Sequence, residues 1–101
     1  MNWWETDCIK SEFSKYGIEL DYSRHFHVGD FWISFLNGKS SDDKYYILFY
    51  VYQDEYEHCM FECGNMHDLE TFVSNIMGYQ RYEEVAMYWE REYISNLLKA
   101  M

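Results

Sequence analysis

The chain has 101 residues and a mass of 12.5 kDa, one domain's length of polymer. Apolar residues make up 49% of it and 22% are aromatic, with 4 Trp, 11 Tyr and 7 Phe, a composition that builds a core and excludes a disordered chain. Eighteen acids against eight bases leave a net charge of -10, which repels nucleic acid and anionic membrane as direct partners and suits a basic protein.

The pattern along the chain predicts a helix first. Residues 3–16 carry Ile9, Phe13 and Tyr16 at helical spacing, with Trp4 or Cys8 extending the stripe. Asn2 and Glu5 have the spacing of a capping box, and Gly17 is the expected stop. Residues 18–28 alternate: Ile18, Leu20, Tyr22, Phe26 and Val28 point one way, Glu19, Asp21, Ser23, His25 and His27 the other. Such alternation marks a half-buried antiparallel strand. Arg24 interrupts its apolar side, and Gly29-Asp30 reads as a turn. Residues 31–36 form a second strand with Phe31, Ile33 and Phe35 on one face, followed by a polar loop over 37–44.

Residues 45–52, Tyr-Tyr-Ile-Leu-Phe-Tyr-Val-Tyr, are apolar or aromatic on both faces, as a central strand requires. A turn at Gln53-Asp54 leads to a fourth strand over 55–63, with Cys59, Phe61 and Cys63 on one face. Residues 66–77 place Leu69, Phe72, Val73 and Ile76 at i, i+3, i+4 and i+7, with Asn65 as cap and Gly78 as stop. A last helix over 81–99 lines up Val85, Ala86, Trp89, Tyr93, Leu97 and Met101, widened by Ile94 and Leu98. The expected fold is a single α+β domain over 1–101. It has one N-terminal helix, an antiparallel meander of about four strands, and two C-terminal helices on one sheet face.

Chemistry-bearing residues are few. Cys59, Cys63 and His67, with His25 or His27, are ligand types that zinc takes, but no Cys-x-x-Cys pair is present. On one strand, Cys59 and Cys63 stand about 13 Å apart, too far for a disulfide or a shared ion. The plain reading is buried thiols and surface histidines, with no metal and no cofactor. No Gly-x-Ser-x-Gly elbow, P-loop or Gly-x-Gly-x-x-Gly occurs, so no enzyme activity is expected. An odd cysteine count and an N-terminus without a secretory pattern predict reduced thiols in a cytoplasm.

The acids are more informative. Asp42, Asp43, Asp54, Glu55, Glu57, Glu62, Asp68 and Glu70 fall between 42 and 70 against Lys44 alone, and Glu83 and Glu84 open the last helix. Tyr45, Tyr46, Tyr50, Tyr52 and Tyr56 are interleaved with them. An acidic run is usually a solvated face. Carboxylates along one surface, interleaved with tyrosine anchors, also reproduce the charge of a nucleic-acid backbone and attract a basic groove. The expected partner-binding set is Asp42, Asp43, Asp54, Glu55, Tyr56, Glu57, Glu62, Asp68, Glu70, Glu83 and Glu84.

The acid run from Asp54 to Glu70, the segment from Asp68 to Gly78 and the acidic final helix from Tyr82-Glu83-Glu84 give a chain that resembles the small acidic phage type II anti-CRISPR proteins that imitate PAM DNA. The likeness lies in element order and charge; the fourth strand and the His/Cys cluster depart from it. It implies a non-enzymatic inhibitor whose partner is a CRISPR effector nuclease with its PAM-reading groove blocked. The same field suits a different class, an immunity protein that neutralises a cognate basic toxin nuclease. A third class is a small metal enzyme using His25, His27, Cys59, Cys63 and His67. Exposed aromatics, Trp3 and Trp4 included, leave room for a homodimer.

Overall fold

A computed structural model describes residues 2–20, 24–55 and 58–101. Helix α1 (Thr6–Ser14) precedes strands β1 (His25–Val28), β2 (Phe31–Lys39), β3 (Tyr45–Tyr52) and β4 (His58–Cys63), and helices α2 (Met66–Met77) and α3 (Tyr82–Ala100) follow. The strands form one antiparallel sheet in the order β1-β2-β3-β4. The α+β meander expected from the pattern is the observed fold.

Alternation decides what each sheet face does. Phe31, Ile33, Phe35, Ile47, Phe49, Val51, Cys59, Phe61 and Cys63 are buried, and they meet Ile9, Phe13, Leu69, Phe72, Val73, Ile76 and Val85 from the helices. Phe49 sits at the centre, stacked on Phe72 with centroids 4.1 Å apart and edge-on to Phe13 at 6.1 Å. Glu12 is a buried charge in this layer, and Lys15 meets it at 2.7 Å. That hydrogen bond holds the Lys15 amine above its ordinary pKa.

Element boundaries differ from the sequence pattern for identifiable reasons. Helix α1 starts at Thr6, because Asn2 and Glu5 close a turn of their own: Asn2 Nδ2 donates to Glu5 Oε1 at 3.0 Å, and Glu5 N–H donates to the Asn2 carbonyl. Its end is a Schellman motif. Gly17 lies at φ +82°, its N–H donates to the Ser14 carbonyl, and the Ile18 N–H reaches back to Phe13. The expected strand over 18–28 contracts to His25–Val28, and its members Asp21, Tyr22 and Ser23 lie outside the described residues. Strand β2 runs three residues further than its apolar run, because Asn37, Gly38 and Lys39 pair with Ile47, Tyr46 and Tyr45. At Gly38 a Cβ would stand 2.9 Å from the Tyr46 hydroxyl, so the tyrosine covers the bare backbone.

Helix α2 matches its pattern residue for residue, with the Asn65 side chain accepting from the Asp68 N–H. Helix α3 is fixed from a distance. Asp30 in the β1–β2 turn accepts the Tyr82 N–H at 2.7 Å, while its own N–H donates to the Gln80 carbonyl. Gly29 (φ +52°) brings the turn so close that a Cβ would stand 2.3 Å from the Gln80 oxygen. The apolar stripe of α3 is buried only at its start, at Tyr82 and Val85. Tyr93, Ile94, Leu97, Leu98 and Met101, expected in the core, are exposed. No helix among the described residues is long and apolar enough to cross a membrane.

Candidate functional site

Strand β4 is an edge of the sheet. Its inward residues, Cys59, Phe61 and Cys63, lie under the helices, and His58, Met60 and Glu62 face outward. The first half of α3 packs against this edge: Tyr88 stacks on Phe61 at 5.5 Å and receives a hydrogen bond from Asn75, and the Trp89 indole donates to the Met60 carbonyl at 2.9 Å. Beyond Trp89 the helix becomes exposed. The opening between α3, α2 and β4 is a groove of about 750 Å³ lined by residues 60–64, by His67, Asp68 and Thr71, and by Tyr88, Trp89, Glu92 and Tyr93.

Three carboxylates, Glu62, Asp68 and Glu92, line this groove, and no lysine or arginine does among the described residues. Neutral acids beside it register their field. Burial, then Asp68 and Glu62, push the Cys63 thiol up to about 12. Burial and then Glu92 raise the Tyr88 phenol. Asp68 is held in place by the Gly64 N–H at 3.0 Å. A groove lined by carboxylates and by Tyr88, Trp89 and Tyr93 carries the groups that attract a cation, through charge-assisted hydrogen bonds and cation–π attraction. The Cys63 thiol, held near 12, stays protonated at neutral pH and is a poor nucleophile.

The other expected partner-binding acids lie in separate places. Asp42 and Asp43 occupy the β2–β3 turn, where Asp42 accepts the Ser40 hydroxyl at 2.7 Å, which lowers its pKa, and Asp43 pairs with Lys39 at 3.4 Å. Asp54 and Glu55 are exposed in the β3–β4 turn at the opposite end of the sheet, about 23 Å away along β3. Glu83 and Glu84 join that second end, since Asp30 ties the start of α3 to the β1–β2 turn. Glu83 pairs with Arg81 at 2.9 Å, and the Glu84 carboxylate accepts the Gln80 and Arg81 N–H groups. Glu70 is exposed on α2 and adds to the field that raises the Lys15 pKa. Tyr56 and Glu57 lie outside the described residues. Of the expected set, only Glu62 and Asp68 meet in the groove. Glu92, an acid of the last helix, and Tyr88 stand outside that set, and Trp89 and Tyr93 read as core because they fall in the helical stripe.

The tyrosines divide as well. Tyr50 and Tyr52 lie on the open sheet face with Trp32, which stands between His25 and His27 at 4.6 and 4.7 Å. The Tyr52 hydroxyl is 2.7 Å from His25 Nδ1. Tyr45 instead stacks on Trp4 at 3.7 Å, and the Asn37 side chain donates to the Trp4 carbonyl. Trp3 and Trp4 are half-buried. Cys59 and Cys63 lie under the helices, while His25 and His27 stand on the opposite face, so the two pairs cannot share an ion. Among the described residues no cluster of three His, Cys, Asp or Glu could hold a metal. No family model, curated protein or solved structure matches the chain.

Proposed function

We propose that this protein is a non-enzymatic inhibitor that docks an acidic, aromatic surface onto the basic nucleic-acid-binding groove of a protein target, a CRISPR effector nuclease in particular. The observation that supports the reading is the β4–α3 groove, lined by Glu62, Asp68 and Glu92 and by Tyr88, Trp89 and Tyr93, with no lining lysine or arginine among the described residues. An arginine or lysine from such a target meets carboxylate and ring together there, and the net charge of -10 steers the approach. On this reading the protein acts in the cytoplasm, where its three cysteines remain thiols.

Affinity capture tests the proposal. The protein should recover a large RNA-guided nuclease from the lysate of a cell that carries one, with affinity falling steeply between low and physiological salt. Changing Glu62 and Glu92 together to Lys should abolish capture with the fold retained, since exposed substitutions shift stability by about 0.5 kcal/mol or less. Undiminished capture by the folded double variant would remove the groove from the interface. Recovery of a small basic toxin nuclease instead would replace the inhibitor reading with the immunity reading.

A further inference from the structure

The edge strand β4 offers the groove its backbone as well as its side chains. In β2 the Phe35 N–H donates to the Arg24 carbonyl, on the β1 side. The residue opposite Phe35 in β3 is Phe49. Opposed residues of an antiparallel pair bond either to each other or both away, so Phe49 bonds to its other neighbour, Phe61 of β4. The N–H and C=O of Met60 and Glu62, one residue either side of Phe61, therefore face the open edge. Two groups close part of it. The Trp89 indole donates to the Met60 carbonyl at 2.9 Å, and the Gly64 N–H donates to Asp68 Oδ2 at 3.0 Å. Between these covers Glu62 presents one N–H and one C=O, and among the described residues no group answers either.

We propose that an extended, arginine-bearing segment of the target adds to this edge, exchanging two hydrogen bonds with Glu62 and sending arginines to Asp68 and Glu92. This rests on the groove being the docking site of the function proposed above, and it names the form the occupant takes. An open strand edge is a template for another strand. A helix bonds its own N–H and C=O groups internally. It would bury those of Glu62 without partners, a cost that an extended segment avoids. Alternation then directs the side chains. The residue opposite Glu62 points to the open face, as Glu62 does. Its two neighbours point to the face that holds the helices, where Asp68 and Glu92 line the groove and no lysine or arginine does among the described residues. Charge there selects a cationic side chain.

The probe is a short capped peptide of alternating valine and arginine, titrated into the full chain and followed by amide NMR. At nine-tenths saturation the Glu62 N–H should exchange about tenfold more slowly than in the free protein. N-methylation of the valines, the residues set opposite Glu62, should abolish binding. N-methylation of the arginines, whose N–H groups face away from β4, should leave it intact. Citrulline in place of arginine keeps the shape without the charge and should also lose binding. Equal effects of the two N-methylations would overturn the inference, and so would binding that leaves Glu62 exchange unchanged or that survives citrulline. A peptide that does not bind overturns it whether or not the chain captures a nuclease. Edge-specific binding by a chain that captures no nuclease would overturn the proposed function and leave this inference standing.

Discussion

The two faces of the sheet are built from the same strands and are both rich in rings, yet they differ in kind. Under the helices the rings are Phe31, Phe35, Phe49 and Phe61, hydrocarbon to the tip and packed on Phe13 and Phe72. On the open face they are Trp32, Tyr50 and Tyr52, with His25, His27 and His58 alongside. Each of those carries a polar atom that water or a partner can satisfy. Ring content therefore does not report burial here; the polar tip does.

The largest test of that contrast is Phe49→Ala. It should cost about 3–5 kcal/mol, because Phe49 is fully buried among rings that cannot collapse into the space; chemical denaturation measures it. Phe49→Tyr gives the covered face a polar tip. It should cost about 1–3 kcal/mol, the penalty of a buried hydroxyl without a partner, again read from the denaturation midpoint.

Alkaline pH probes the covered face through Cys63. Its pKa is raised on folding to about 12, chiefly by burial, above an unfolded value of about 8.5. The thiol's contribution is whole below the unfolded pKa, and it is lost as pH rises through the folded one. Stability should fall above about pH 8.5, and Cys63→Ala should make that fall shallower; melts at a series of pH values decide it. The smallest effect belongs to the open face. Tyr50→Phe should change stability by no more than about 0.5 kcal/mol. A larger loss would mean that something covers this face in the folded protein.

Legibility from sequence followed the range of the interactions. Helix α2 was readable to the residue because its cap, stripe and stop lie within fourteen positions. The alternation in β3 and β4 was readable for the same reason. Residues 37–39 were not, since their strand conformation comes from pairing with 45–47 rather than from their own side chains. Periodicity in α3 ran Val85, Trp89, Tyr93 and Leu97 together as one stripe, but an i, i+4 series drifts by about 40° per step, so only its start meets the body. The groove has no local signature at all. It exists because a helix that packs at Tyr88 is exposed by Tyr93, so that Glu92 lines one opening with Glu62 and Asp68.

The bond from Asp30 to the Tyr82 N–H has a consequence for the order of assembly. A helix nucleates poorly alone and gains from each amide satisfied at its start. The carboxylate that serves α3 belongs to a hairpin turn made fifty-two positions earlier, and Gly29 lets that turn nestle against the Gln80 carbonyl. The anchor for the start of the last helix therefore exists only where that hairpin has paired in register, so an error in the first hairpin is felt at the far end of the chain.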